Sequence, residues 1–128
     1  MRKGKLYTSN FSKWDRGIGI KISIARNHLF WVYNIISDNN YIWLKDLAPE
    51  DKLLKEYKNG AITEEEYTKT YKKQVFNKNN EQLYKLKEIL DSGQNVTIHC
   101  YCGKDKFCHR YILGNYFKKL GYEVEEIK

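Results

Sequence analysis

Val96-Thr-Ile-His-Cys-Tyr-Cys-Gly-Lys-Asp-Lys-Phe-Cys-His-Arg110 holds all three cysteines of the chain and two of its three histidines. Val96 to Ile98 is a β-branched run of the kind that fills a buried strand. A polar loop with one glycine follows, and from Phe107 to Leu120 apolar residues recur at helical spacing. A strand, a loop and a helix in that order deliver the loop to the carboxyl edge of an α/β sheet. The first unpaired amides of the helix then face whatever binds there.

Working outward, Lys5 to Ser9 predicts a short strand, and Ile18-Gly-Ile-Lys-Ile-Ser-Ile24 predicts another by alternation. Trp31, Tyr33, Tyr41 and Trp43 surround the polar turn Ser37-Asp-Asn-Asn40, an aromatic stretch expected to form a hairpin or a loop over the sheet edge. Pro49 suits the first turn of a helix ending at Asn59-Gly60, with Gly60 as left-handed cap. Thr63-Glu-Glu-Glu66 predicts a capping box opening a helix to about Phe76. A further helix starts near Asn80, carries Leu83, Leu86, Ile89 and Leu90 on one stripe, and stops at Ser92-Gly93. The helix of the opening stretch ends at Leu120-Gly121, and Tyr122 to Ile127 alternates as a last strand. Strands separated by helices predict an α/β fold: a single compact domain over residues 1–128, with a mostly parallel sheet of about four to five strands and helices on both faces.

The chain has 128 residues, enough for one domain that buries about two-thirds of its unfolded surface, and it carries a net charge of +7. No apolar run is long enough to span a membrane and no signal peptide is apparent, so a cytoplasmic protein is expected. Three closely spaced cysteines favour reduced thiols. Only four of the 23 basic residues are arginine, a lysine bias that fits an AT-rich bacterial or phage genome. Arg16, Arg26 and Arg110 each sit beside a motif and are expected to converge, because guanidinium offers a planar fork that ammonium does not. The charges divide as +6 over residues 1–45, −1 over 46–95 and +2 over 96–128. The excess therefore follows the segments that build the sheet edge, as suits a pocket for an anion, although a solvated basic surface would look the same.

Zinc is the first chemistry to weigh, since Cys100, Cys102, Cys108 and His109 are all candidate ligands. Cys100 and Cys102 project together from an extended segment, whereas Cys108 and His109 are adjacent on a helix and diverge, so no metal is expected. Cys108 instead shares a stripe with Tyr111, Ile112 and Asn115 and reads as a small buried hydrophobe. Nucleophilic catalysis is the second option, because Cys102 precedes a helix start beside His109 and Arg110, conditions that lower a thiol pKa. Cys102 and His109 are the candidate catalytic residues. The segment from Cys102 to Arg110 is longer than the cysteine-to-arginine loop of phosphocysteine phosphatases and lacks its glycines, so that activity is not expected. Anion binding asks least: His109 and Arg110 in a first helical turn, Arg26 extending the cradle, and Tyr7, Ser9 and Tyr101 at strand ends as hydroxyl donors or stacking faces. His28 reads as structural or exposed.

Cys100-Tyr101 and Phe107-Cys108-His109-Arg110 resemble the signature of the family called domain of unknown function 488. Leu6-Tyr-Thr-Ser-Asn-Phe11, Ser23-Ile-Ala-Arg26 and Lys45-Asp-Leu-Ala-Pro49 are similar to its other motifs, in the same order. The resemblance covers nearly the whole chain and implies a compact α/β fold with a shared pocket, while implying no settled activity. The family typically places glutamate where this chain has Cys102, so the resemblance implies no general acid or base at that position. The expected function is binding, with or without turnover, of a small phosphorylated, nucleotide-like ligand and no other cofactor. A nucleic-acid-binding surface using net charge and aromatics is the alternative. A phage-type protein that sequesters its ligand without turnover is a further one.

Overall fold

The computed structural model describes residues 3–26, 41–100 and 109–127. Among them, five strands form one sheet: β1 (Leu6–Asn10), β2 (Ile20–Ser23), β3 (Tyr41–Trp43), β4 (Val96–Cys100) and β5 (Val124–Glu126), in the order β3-β2-β4-β1-β5. Every pairing is parallel. The α/β expectation holds, and the whole described sheet is parallel.

The aromatic stretch corrects the expectation of a hairpin for its described part. Tyr41 and Trp43 lie in β3, an edge strand running parallel to β2 with Lys21 opposite Tyr41. A hairpin would require antiparallel neighbours; a parallel pair needs a crossover, and the segment between β2 and β3 is long enough to supply one. Trp31, Tyr33 and the turn at 37–40 lie outside the described residues.

Four α-helices are described: α1 (Asp51–Lys58), α2 (Glu64–Val75), α3 (Glu81–Asp91) and α4 (His109–Lys119). Pro49 precedes α1 rather than opening it, and Gly60 adopts φ 74°, the left-handed value a helix end needs. Thr63 accepts from the Glu66 amide while Glu66 accepts from the Thr63 amide, which completes the capping box of α2. Asn80 caps α3 by accepting from the amides of Gln82 and Leu83. No helix among the described residues is long and apolar enough to cross a membrane.

Alternation along the strands separates two faces. Leu6, Ile22, Val96, Ile98 and Cys100 join one core with Leu53, Tyr71, Leu86, Leu90, Leu113 and Phe117 of the four helices. The opposite face is contacted by a short 3-10 segment, Phe11–Arg16, whose Phe11 and Trp14 pack with Ala25 in a second cluster. Thr97, at the middle of β4 on that face, accepts from the Ile18 amide at 2.8 Å and donates to the Ile18 carbonyl at 2.7 Å. It thereby ties the β1-to-β2 connection across β4. Gly114 lets α4 approach the sheet: a Cβ there would sit 3.2 Å from Val124 and 3.3 Å from Thr8.

These placements create a switch point. From β1 the chain crosses β4 to reach β2, and from β4 it crosses β1 to reach β5. With right-handed crossovers, the two connections leave their neighbouring strands on opposite faces. A crevice at the carboxyl ends of β1 and β4 is the expected result, and it is where open α/β sheets take ligands.

Candidate functional site

Asn10 of β1 and Cys100 of β4 are opposite each other in the register, as are Ser9 and His99 one step earlier, while Ser23 of β2 faces His99 from the other side. The carboxyl edge thus presents short polar side chains flanked by imidazole. Nine polar or charged residues are buried among the described ones, and eight of them lie on β1, β2, β4 or the first turn of α4: Thr8, Ser9, Asn10, Ser23, Thr97, His99, His109 and Arg110. The ninth, Asn80, is accounted for as the helix cap.

The first turn of α4 straddles this edge. His109 Nε2 lies 2.9 Å from the Ile24 carbonyl just beyond β2, and since a carbonyl only accepts, Nε2 carries the proton. Arg110 turns the other way, toward β5. Its Nε donates to Glu126 Oε1 at 3.2 Å and its Nη2 to Glu126 Oε2 at 2.9 Å, a bidentate pair in which the arginine is fully buried. Tyr111 donates to the same carboxylate at 3.2 Å, and Thr8 also donates to it. Burial leads the causes that hold the Tyr111 phenol above its ordinary pKa, with Arg110 opposing and Glu126 adding to the rise, so the phenol keeps the proton it donates. The remaining arm of Arg110 donates to Cys100 Sγ at 3.0 Å. That thiol therefore lies against a cation.

The sequence-predicted residues are only partly brought together. His109 and Arg110 lie in the first turn of α4 and Ser9 near the carboxyl end of β1 on the face of His99, with Tyr7 two residues before Ser9, half-buried and with the Lys5 ammonium 5.1 Å from its ring centre. Arg26 donates instead to the carbonyls of Pro49 and Ala48, each at 3.2 Å, which fastens the end of β2 to the entry of α1. Arg26 and Arg110 thus hold separate partners, and Arg16 is exposed on the 3-10 segment. Tyr101, Cys102, Cys108 and His28 lie outside the described residues.

Two functional candidates escape the sequence reading. Glu126 was readable only as a charge in an alternating strand, and nothing local marks it as the partner of Arg110. His99 sits on the opposite face from Cys100, its ring 4.3 Å from that of Trp14 and 6.3 Å from that of Phe11. Its Nδ1 lies 3.3 Å from the Ile22 carbonyl and so is the protonated nitrogen. Burial, first among the causes, lowers its pKa to about 4, so the ring is neutral and Nε2 presents a lone pair. Ser9 Oγ, Trp14 Nε1 and His99 Nε2 are buried without a hydrogen-bond partner.

No curated protein matches the chain. The family model described as the active DUF488-N3 subclade, DUF488-N3a, matches residues 13–121, a span that takes in β2 to β4, all four helices and the carboxyl-edge residues His99, His109 and Arg110. By that match the chain belongs to the DUF488 family.

Proposed function

We propose that this protein binds a small phosphorylated, nucleotide-like ligand at the carboxyl edge of its sheet. One observation carries the reading: eight of the nine buried polar or charged residues among the described ones collect at β1, β2, β4 and the start of α4, around the switch point. Burying polar groups costs free energy, and a fold that needed only a core would fill these positions with apolar side chains. A helix start adds donors and a positive dipole end. The description of the subclade as active accords with a working site. Arg110, paired with Glu126, acts as a positioning residue that fixes the first turn of α4.

The test begins with mass spectrometry of small molecules released from the purified native protein, followed by thermal melts with inorganic phosphate, ribose 5-phosphate and the four ribonucleoside 5′-monophosphates. A phosphorylated molecule with a sugar or base should be released or should stabilise. Ligand at about a hundred times its Kd adds roughly 2.7 kcal/mol, a rise of several degrees for a chain of this size. Release of no such molecule, with no shift from any of the probes, would refute the proposal.

A further inference from the structure

We infer that Ser9, Trp14 and His99 form a subsite for an uncharged heterocyclic ring, such as a nucleobase, on the face of the sheet opposite α4. The inference rests on the ligand reading above and specifies the part of the ligand that carries no charge.

The three polar atoms without partners occupy one face and one end of the sheet. Ser9 and His99 are opposite each other on β1 and β4, and the Trp14 ring packs on His99 from the 3-10 segment Phe11–Arg16. Ser9 and His99 are fully buried and Trp14 is 3% exposed. A buried donor or acceptor that goes unpaired is costly, and three together require an explanation. Their chemistry is specific: with Nδ1 committed to Ile22, His99 offers an acceptor; Trp14 offers a donor; the Ser9 hydroxyl offers either. None is charged, since the low pKa of His99 keeps the ring neutral. A set of donor and acceptor groups beside aromatic rings matches the edge of a neutral ring that has both N–H groups and lone pairs.

Entry requires the 3-10 segment to lift. Lys13 breaks its helical geometry at φ −111°, ψ 26°, between Phe11 and Trp14. Rotation there moves Trp14 off His99 and lets a ring enter edge-on beside the two side chains, where its edge meets Trp14 Nε1 and His99 Nε2. The phosphate then lies across the crevice toward the first turn of α4, so the ligand spans the switch point.

Calorimetric titration of the full-length protein with the four ribonucleoside 5′-monophosphates and with ribose 5-phosphate tests this, using Ser9→Ala, Trp14→Phe and His99→Leu alongside wild type. At least one nucleotide should bind wild type more tightly than ribose 5-phosphate does. Ser9→Ala and Trp14→Phe should each weaken that nucleotide roughly five- to a hundredfold, and Trp14→Phe should leave ribose 5-phosphate unchanged. Because its hydroxyl is unpaired without ligand, Ser9→Ala should melt no lower than wild type when empty. Nucleotide affinity that equals that of ribose 5-phosphate, or that survives both substitutions, overturns the subsite and leaves the anion reading standing. Lower melting of empty Ser9→Ala also overturns it, by showing that the hydroxyl serves the fold. Failure of every probe to bind wild type overturns subsite and ligand reading together.

Discussion

His99 sets the pH response of the sheet edge. Burial beneath Phe11 and Trp14 lowers its pKa to about 4, aided by the charges of Lys21 and Arg110 and opposed by nearby backbone carbonyls. The folded value lies below the ordinary 6.5, so the unfolded chain takes up its proton first as the pH falls. The stability tied to neutral His99 is therefore complete above about pH 6.5 and is lost on the way down to about pH 4, on the order of 3 kcal/mol in all. Urea denaturation of wild type and His99→Leu across this window should show a smaller loss in the variant. An equal loss in both would exonerate His99. Alternation alone places this residue on the opposite face from Val96, Ile98 and Cys100, so its face was legible. Its surroundings were not, because Phe11 and Trp14 arrive from the far end of the chain and no local pattern announces an aromatic stack over a histidine.

Elements whose signals are local were the readable ones. The capping box at Thr63, the Asn80 cap and the left-handed glycines at 60, 93 and 121 all stand where turn chemistry predicts them. The parallel placement of β3 and the union of α4 with β5 depend on pairing between elements, which local propensity does not encode. The Arg110–Glu126 pair shows what that union is worth. Glu126→Ala leaves a fully buried guanidinium without its carboxylate and should cost roughly 3 kcal/mol, since breaking one side of a buried pair is far worse than removing both. The double variant Arg110→Leu/Glu126→Leu should therefore be more stable than Glu126→Ala. Chemical denaturation of the two settles the point, and a double variant weaker than the single one would mean that the pair stabilises beyond its desolvation cost.

At the scale of the whole molecule, the charge of +7 admits two uses that differ in how many phosphates are engaged at once. The proposed function entails the local one. β1 is held between β4 and β5, and the described buried polar residues concentrate on β1, β2, β4 and the first turn of α4. Of the arginines, Arg110 is turned inward to Glu126 and Arg26 to backbone carbonyls, and neither is spent on an outward basic stripe. Salt separates the two uses quantitatively, because each phosphate neutralised adds to the slope of log affinity against log salt, about 0.7 per contact on a single strand. A mononucleotide in a pocket should lose less than about tenfold in affinity between roughly 50 and 200 mM salt, whereas a strand held by six or more contacts should lose several hundredfold. We expect the shallow dependence for the nucleotide, and weaker binding of a single-stranded oligonucleotide than of the mononucleotide at the higher salt. An oligonucleotide that binds more tightly, with the steep dependence, would transfer the basic excess from the pocket to a nucleic-acid surface.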